Sequence, residues 1–517
     1  MNPDLSRRAF LGAGLAATTM ATIAACTPAR PSPAAGPVNR IMPDNPLVAA
    51  AEASRPSTGA TVTRPLAAGT LTAGVGGHRV ATWGYNNSLN GPVIRAKAGD
   101  RLNVPLSNRL EQPTTVHWHG LALRNNMDGV QGLTQTAVAA GGSMTYDFRL
   151  PHPGTYWYHS HVEMQRERGL YGALIIEDPH EPLAYDQEWV IVLDDWLDGI
   201  TGTPDEVVKE LSRGMGNTGT MGGMNMGSDT ASPSTGMTMD HMLMGSYSAF
   251  LGGDAGDVSY PFHLFNSRTP DRPETFSSKP GHRIRLRVIN AAGDTAYRVG
   301  VPGQQVTITH SDGYPVQHQD LDAVVLGMGE RADLLLTVKP GQTPVLALPE
   351  GKPGRAYGIV STGTGSAPAA ADLPRTLDGT VLDGGNLKAD PSVLLAAKAP
   401  DIVHELHLTG GMAKYDWGIN GRRFDMNNPL AGTFDIRQGN RVQVRFINDT
   451  TMWHPMHLHG HTFQLAGSGA RKDTVIVRPR QTVTVEFEAD NPGQWLTHCH
   501  NAYHAQQGMM GVFSYLA

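Results

Sequence analysis

The stretch His498-Cys499-His500-Asn501-Ala502-Tyr503-His504, followed by Gly508-Met509, decides how this chain is interpreted. It offers one thiol, three imidazoles and a thioether. One Cys, two His and a weak axial Met are the ligands of a blue-copper electron-transfer site. On an extended strand, however, His498 and His500 point away from the side of Cys499. They therefore require at least one further metal close by, joined to the first through the backbone of Cys499.

Histidines also occur in four pairs of the form His-x-His. The pairs are His117/His119, His159/His161, His457/His459 and His498/His500. Residues i and i+2 of a strand share a face, so each pair presents two imidazoles to one side. Imidazole suits copper, and eight such rings from two domains are enough to hold three copper ions at their interface.

An internal repeat places these pairs in matching positions. Gly99, Gly281 and Gly439 are each followed by Arg two residues later and by Asn nine residues later. In the first and third copies a His pair begins 18 residues after the Gly, whereas the second copy has Val299 and Val301 there. Apolar and polar residues alternate between the Gly and the Asn, which is typical of a half-buried strand. We therefore expect three similar β domains, with metal ligands in the outer two.

A second correspondence links the outer domains. Pro153-Gly154 precedes His159-Ser160-His161 by the same offset as Pro492-Gly493 precedes His498-Cys499-His500. Ser160 thus stands where Cys499 stands. The sequence predicts the thiolate site in the third domain only.

Length and composition agree with an all-β chain of several domains. The 517 residues include 60 Gly and 36 Pro, and long apolar runs of helical period are few. The net charge of −6 and the lack of a long basic block argue against a nucleic-acid partner. The predicted divisions are a signal with a lipobox at 1–26, a Pro/Ala-rich flexible tether at 27–63, a first domain at 64–180, a second at 185–362, a linker at 363–399 and a third domain at 400–517.

The N-terminus predicts export. Ser6-Arg7-Arg8 precedes an uncharged apolar stretch, the pattern of a twin-arginine signal. That stretch ends Ile23-Ala24-Ala25-Cys26, which resembles a bacterial lipobox; an ordinary small-residue cleavage site is the alternative. We expect a monomer held by a lipid on Cys26 at the outer face of the cytoplasmic membrane, or otherwise periplasmic or extracellular. No other segment is long and apolar enough to span a bilayer.

These motifs resemble those of the multicopper oxidases, which include laccases, ascorbate oxidase, bilirubin oxidases and bacterial cuprous oxidases. The resemblance covers nearly the whole mature chain. It implies three cupredoxin-like Greek-key β-sandwich domains and four copper ions: one type-1, one type-2 and two type-3. By the same resemblance the type-1 copper takes His454, Cys499, His504 and Met509 (with Met510 as the alternative axial ligand), the type-2 copper takes His117 and His457, one type-3 copper takes His119, His159 and His500, and the other takes His161, His459 and His498.

The implied reaction removes single electrons from a substrate and uses four of them to reduce dioxygen to water. Cys499 is bonded through the backbone to His498 and His500, so it is assigned the catalytic role of connecting the type-1 copper to the cluster. Asp128 stands where the family has an acid near the type-2 copper and is assigned to proton relay; a plain Asp-Gly turn is the alternative. Related bacterial oxidases often have Glu at the position of Ala505, so either another acid or ordered water supplies that proton route or the relay differs.

A Met-rich insertion at 213–245 bears on the substrate. It has no periodicity, so we expect a mobile loop. Thioethers favour Cu(I) over hard ions, and we expect this loop to capture Cu(I) for oxidation in copper detoxification; a loop without a role is the alternative. A laccase-like phenol oxidase and a copper-sequestering protein are alternative functions. The methionines concerned are Met215, Met221, Met224, Met226, Met237, Met239, Met242 and Met244.

Overall fold

The computed structural model describes residues 39–214 and 235–517, and its strands form three successive groups. The first group comprises β1 Thr61–Thr63, β2 Leu66–Val75, β3 His78–Tyr85, β4 Gly91–Lys97, β5 Arg101–Asn108, β6 His117–His119, β7 Ser143–Arg149, β8 Gly154–His159 and β9 Tyr171–Glu177.

The second group comprises β10 Gln187–Trp196, β11 Thr235–Met239, β12 Met242–Ser248, β13 Gly253–Asp254, β14 Phe262–Phe265, β15 Thr275–Ser277, β16 Arg283–Asn290, β17 Tyr297–Gly300, β18 Val306–Ser311, β19 Tyr314–Leu321, β20 Ala323–Leu326, β21 Arg331–Thr337, β22 Gln342–Pro349, β23 Ala356–Ser361 and β24 Val381–Asp383. The third comprises β25 Ile402–Thr409, β26 Gly418–Ile419, β27 Phe434–Arg437, β28 Arg441–Asn448, β29 His454–Leu458, β30 Phe463–Leu465, β31 Arg471–Lys472, β32 Thr474–Val477, β33 Thr482–Glu488, β34 Gln494–Cys499 and β35 Met510–Leu516.

Each group contains a sandwich of two sheets, and the second group also contains a separate three-stranded sheet, β11-β12-β13. In the first, β1-β5-β2-β3 with β7 beside β5 share a core with β4-β9-β8-β6. In the second, β14-β10-β16-β21-β18-β19 pack with β15-β23-β22-β17-β20-β24, and in the third, β26-β25-β28-β33-β30-β31 pack with β27-β35-β34-β29-β32. The expectation of an all-β chain built of three cupredoxin-like sandwiches is confirmed.

The sequence repeat corresponds to one equivalent strand in each sandwich, namely β5, β16 and β28. Each ends in a buried asparagine: Asn108, Asn290 or Asn448. The side-chain Nδ2 of each donates to two or three backbone carbonyls of neighbouring loops, at 2.7 to 3.1 Å. A buried amide that satisfies several loop carbonyls at once fixes those loops, because an unpaired buried carbonyl is costly. The repeated Asn therefore holds the loop that leads to the next strand, which carries the His pair in the outer domains.

In the described part of the chain, helices are few and short. They are α1 Pro46–Ser54, α2 Pro204–Leu211 and α3 Ala502–Gln506, with 3₁₀ turns at Asn125–Met127, Arg166–Arg168, Ala370–Asp372, Gly384–Asn386 and Pro391–Val393. Within residues 39–214 and 235–517, none of the helices has the length and apolar character needed to cross a membrane.

The expected flexible tether at 27–63 is wrong from residue 39 onward. Ile41 is buried and donates its backbone N–H to the Tyr515 carbonyl at 2.8 Å. Asn45 caps α1, whose first residue is Pro46, and β1 then pairs in parallel with β5. The Pro/Ala-rich composition concealed a capped helix and a buried apolar anchor, and these tie the segment across the first and third sandwiches. Residues 27–38 lie outside the described residues, as do the twin-arginine motif and Cys26.

Two other regions are more ordered than their composition suggests. The end of the Met-rich insertion is a β-hairpin of β11 and β12 with Asp240 in the left-handed conformation at its turn, so paired strands stand where the sequence predicts a mobile loop. Predictions for Met215, Met221, Met224 and Met226 lie outside the described residues. Within the predicted linker at 363–399, β24 joins the second sandwich by pairing with β20, and Leu377 and Leu387 are buried.

Candidate metal centre

Four strands present the histidine pairs of the first and third sandwiches to one another. β6 pairs with β8 so that His117 lies opposite His159, and β29 pairs with β34 so that His457 lies opposite His498. The two halves meet face to face, because the ring of His117 stacks on that of His459 with centroids 3.8 Å apart. The structure thus brings the four predicted pairs together between the two sandwiches. We call these eight residues the imidazole cluster.

Three sets of residues in the cluster each have ring nitrogens within 4.8 Å of one another. They are His117, His457 and His459; His117, His119 and His159; and His161, His459 and His498. The last set is the trio predicted for one type-3 copper. His500 joins none of these sets in the described structure, but its ring centroid lies 4.8 Å from that of His119 and 5.5 Å from that of His159. Arg166 contacts it, with Nη1 2.9 Å from His500 Nδ1.

The inward-facing nitrogens show whether the cluster suits a metal. His117 Nε2, His119 Nδ1, His159 Nε2 and His457 Nε2 are buried without a hydrogen-bond partner among the described residues. The other nitrogen of each ring lies 2.8 to 3.1 Å from a carbonyl or carboxylate oxygen. That oxygen accepts a hydrogen bond from the ring N–H, which leaves a lone pair on the inward nitrogen. Several buried lone pairs aimed into one space fit copper ions.

Burial keeps the rings of His159, His161 and His498 neutral. It lowers the pKa of His161 to about 3, and it lowers the pKa of His159 and of His498 well below the usual histidine range. Neighbouring imidazoles add to the effect, because a proton on one ring repels a proton on the next. Neutral imidazole is the form that binds metals, so the cluster has its ligand form at neutral pH.

A second ligand group, the thiol site, comprises His454, Cys499, His504 and Met509. The two imidazoles face each other with Nδ1 atoms 3.1 Å apart, and Cys499 Sγ lies 3.7 Å from each. Met509 is buried beside them, and its carbonyl accepts the backbone N–H of Cys499 at 3.0 Å. Burial raises the pKa of the Cys499 thiol well above its usual range, so a bound cation is needed to keep it a thiolate.

Each thiol-site histidine also forms a hydrogen bond through its outer ring nitrogen. His504 Nε2 lies 2.9 Å from Asp257 Oδ2, and His454 Nε2 lies 2.9 Å from Thr450 Oγ1. The Trp417 ring packs against His504 with centroids 4.3 Å apart. Asp257 comes from the second sandwich, so that sandwich supplies one wall of the thiol site. The sequence analysis did not identify Asp257, which follows no histidine motif.

The first sandwich holds a counterpart of the thiol site without copper ligands. The offsets from the histidine pairs match. Thr114 corresponds to His454, Ser160 to Cys499 and Gln165 to His504. Gln165 Oε1 accepts hydrogen bonds from Ser160 Oγ and from Thr114 Oγ1, each at 2.7 Å. The Ser160 substitution was noticed in the sequence, but the two other replacements at the same offsets were missed.

Asp128 lies inside the imidazole cluster rather than at a free turn. Its carboxylate Oδ2 is 2.9 Å from His459 Nδ1, and its backbone carbonyl is 2.8 Å from His117 Nδ1. It therefore touches one histidine from each outer sandwich. This position suits an acid that orients two ligands and exchanges protons beside them.

Asp473 is a contact of the cluster that the sequence analysis missed. Its Oδ1 lies 3.1 Å from His119 Nε2, and its carbonyl lies 2.8 Å from His457 Nδ1. Arg331 of the second sandwich binds both carboxylate oxygens, at 2.7 and 2.6 Å. The only signal in the sequence was the charged pair Lys472-Asp473 before the apolar strand β32, and such a pair is usually at the surface.

The Met-rich hairpin reaches the thiol site through its backbone. The N–H of Leu243, between Met242 and Met244 on β12, donates to the Asp257 carbonyl at 2.8 Å. Directly before the insertion begins, Ser212 Oγ accepts from Gln507 Nε2 at 2.6 Å. Gln507 lies between His504 and Met509 in the sequence. The hairpin therefore contacts the residue that holds His504, and the residue just before the insertion contacts the segment between His504 and Met509.

Comparisons with known proteins agree with this geometry. Three family models described as multicopper oxidase match residues 69–181, 187–347 and 398–516. The chain is 44% identical to the Multicopper oxidase MmcO of Mycobacterium tuberculosis strain H37Rv, over 99% of this chain and 97% of that protein. It is 29% identical to Copper resistance protein A of Escherichia coli, over 82% and 87% of the two chains. The fold matches Fet3p, a multicopper oxidase that functions in iron import, with a TM-score of 0.71 at 22% identity over 88% and 90% of the chains. The chain belongs to the multicopper oxidase family and is a copper-dependent oxidase that uses dioxygen as electron acceptor.

Proposed function

We propose that this oxidase takes its electrons from Cu(I) and releases Cu(II), and that it serves copper detoxification. The observation that carries the proposal is the short connection from the Met-rich hairpin to His504. Leu243 N donates to the Asp257 carbonyl at 2.8 Å, and the Asp257 carboxylate lies 2.9 Å from His504 Nε2. The Copper resistance protein A relative is consistent with this role.

The copper complement of the proposal is one type-1, one type-2 and two type-3 ions. The thiol site holds the type-1 ion, His117 and His457 hold the type-2 ion, and the other six cluster histidines hold the type-3 pair. The copper ions, when bound, take single electrons and pass four of them to dioxygen. Cys499 connects the two sites, because its backbone continues directly into His498 and His500.

The hairpin register suits capture of a soft ion. Met237 is paired with Met244, and Met239 is paired with Met242. Directly opposed positions and positions two apart share a face, so this register assigns four methionine positions to one face of the hairpin. Thioethers bind Cu(I) in preference to hard cations. This supports a Cu(I) site at the base of the insertion.

Burial of His504 favours an ion over a phenol as the substrate. In the described structure His504 is fully buried, with Asp257 at its outer nitrogen and Trp417 against its ring. A phenol therefore cannot touch the histidine edge without moving these groups. A cation needs only to approach the hairpin and the buried carboxylate of Asp257. The copper-sequestering alternative is set aside, because the family is one of oxidases.

Removal of thioethers without loss of volume tests the substrate. Met242→Leu/Met244→Leu should lower kcat/KM for Cu(I) about tenfold, the effect of losing about 1.4 kcal/mol of ion binding. Oxygen uptake with a dimethoxyphenol should stay at the wild-type rate. Met426→Leu, at an exposed methionine, is the matched control. Unchanged Cu(I) oxidation in the double variant would exclude the hairpin methionines, and an equal loss with both substrates would show a general structural defect.

The proposal also covers where the enzyme is located and whether it is a monomer. The Ser6-Arg7-Arg8 motif supports export by the twin-arginine route, and the lipobox supports a lipid anchor on Cys26. The enzyme acts as a monomer outside the cytoplasm. Cys26→Ala should move the enzyme from the membrane fraction to the soluble extracytoplasmic fraction, and Arg7→Lys/Arg8→Lys should retain it inside. A Cys26→Ala protein that stays with the membrane would contradict the anchor.

A further inference from the structure

A small cleft of about 60 Å³ leads to the imidazole cluster. His159, His161 and His498 form part of its lining. The remaining wall includes Glu167 from the 3₁₀ turn after β8, and Ala505 from α3. Reduction of one dioxygen to two waters consumes four protons, and a cleft that reaches the cluster is a route by which they arrive. Ala505 cannot carry a proton, whereas Glu167 can.

The carboxyl group of Glu167 is held in a fixed position. The residue is only 6% exposed, and its Oε1 accepts from Arg166 Nε at 2.9 Å. Its Oε2 is buried and, in the described part of the chain, makes no hydrogen bond. The carboxyl also packs on the backbone of Gly293, where an added Cβ would lie 1.9 Å from Oε2. One oxygen is thus anchored and the other is free to carry a proton.

The charges around Glu167 favour a group that gains and loses a proton near neutral pH. Burial raises the pKa of Glu167 to about 7, and Asp195 and Asp294 add to the rise while Arg166 opposes it. Efficient proton donors have a pKa close to the working pH. The titratable groups that interact with it are Arg166, Tyr171, Asp194, Asp195, Tyr260, Asp294 and Tyr503.

We propose that Glu167 delivers protons through this cleft to the oxygen being reduced at the imidazole cluster. In each delivery the O–H bond of the carboxylic acid breaks and an O–H bond to the reduced oxygen forms. The carboxylate that remains takes a proton from water in the cleft. The reduced substrate supplies the electrons as it is oxidised, so four electrons and four protons convert one dioxygen to two waters.

This role differs from that of Asp128. Asp128 contacts His117 and His459 directly, and it is not part of the lining of this cleft in the described structure. Glu167 has no hydrogen bond to a cluster histidine among the described residues; Arg166 stands between it and His500. Glu167 therefore exchanges protons with water in the cleft, whereas Asp128 orients His117 and His459.

Single-turnover reoxidation tests the proposal with three variants. Glu167→Gln removes the proton with little change of shape, Gly293→Ala keeps the acid but displaces it, and Glu177→Gln changes an exposed acid at the end of β9 as the control. Each protein is copper-loaded, checked for its blue absorbance, reduced without oxygen and mixed with dioxygen. Glu167→Gln should slow reoxidation about 100-fold and remove its pH dependence near neutrality, and Gly293→Ala should slow it less.

A second readout does not depend on copper. Infrared difference spectra of the metal-free protein between pH 6 and pH 8 should contain a protonated-carboxyl band that Glu167→Gln loses and Glu177→Gln keeps. Gly293→Ala should shift this band, and because it retains Glu167 it keeps the test open if the Gln variant does not fold. Wild-type reoxidation rates in Glu167→Gln, or an infrared band unaffected by that change, would overturn the proposal.

Discussion

Ser160 donates a hydrogen bond to Gln165, Oγ to Oε1 2.7 Å, at the position in the first sandwich where the third sandwich places Cys499 beside His504. Thr114 completes the group by donating to the same oxygen at 2.7 Å. The two sites therefore have equivalent backbones but carry different side chains. In the first sandwich neutral polar groups satisfy one another, and in the third the ligands require a cation.

The equivalence predicts that a second thiol site can be built. Ser160 N donates to the Leu170 carbonyl at 2.9 Å, in the same way that Cys499 N donates to the Met509 carbonyl at 3.0 Å. In a Cys499→Ser background, which should lose its blue absorbance and oxidase activity, four changes should restore one blue copper per molecule. The changes are Thr114→His, Ser160→Cys, Gln165→His and Leu170→Met.

Copper content and thiolate charge-transfer absorbance measure this outcome. Ser160→Cys alone should bind no blue copper, because Thr114 and Gln165 offer no imidazole. A fourfold variant that folds and stays colourless would show that the backbones of the two sites are not interchangeable.

Breaking the Arg331–Asp473 pair should be strongly destabilising. Both side chains are fully buried, and the carboxylate also faces His119. Arg331→Met leaves a buried carboxylate without its cation, which costs about 3–5 kcal/mol. The thermal midpoint and the copper content should both fall. Arg445→Met, which breaks an exposed pair with Glu405, should change stability by less than about 1 kcal/mol. Equal shifts in the two variants would contradict the importance of burial.

Loss of the charge at Asp257 should alter the thiol site. Asp257→Asn keeps a hydrogen-bond acceptor 2.9 Å from His504 Nε2 but removes a buried negative charge. That charge favours the more positive oxidation state of a bound copper, so the reduction potential should rise by about 60 mV, equal to about 1.4 kcal/mol for one electron. Redox titration of the blue absorbance measures the change. A potential that falls or stays constant would rule out this electrostatic role.

Acid should destabilise the protein partly through His263. Burial lowers the pKa of His263 to about 3, and its Nδ1 lies 2.7 Å from the Tyr297 hydroxyl. The unfolded chain binds a proton below about pH 6.5, whereas the folded chain does not until about pH 3. Stability is therefore lost as pH falls from 6.5 to 3, by up to about 1.4 kcal/mol per pH unit for this residue.

Thermal midpoints of wild type and His263→Gln at pH 7, 5.5 and 4 test this dependence. The variant lacks the titrating ring, so the amount by which its thermal midpoint lies below that of wild type should shrink as the pH falls. Metal-ligand histidines are common to both proteins and cancel in the comparison. A deficit that is constant across this range would exclude His263 as a source of acid sensitivity.

Local chemistry and strand geometry made much of the protein predictable from sequence. Alternation along a strand fixes which side chains share a face, so His498, Cys499 and His500 had to serve two different sites. The repeated Gly-x-Arg and Asn positions predicted three sandwiches, because equivalent strands need equivalent turns and loop anchors. These inferences rest on residues close together in the chain.

Other features depend on residues that meet only in the folded chain. Composition predicted a tether where Ile41 is buried against Tyr515, and a mobile loop where Met242 begins a strand. The sequence by itself determined which side chains have the chemistry to bind copper and predicted their division between two kinds of site. Only the tertiary structure decided that Asp257 reaches His504, that Arg331 holds Asp473, and that Glu167 borders the cleft to the cluster. Those contacts arise where separate sandwiches or distant loops pack together, and no local spacing encodes them.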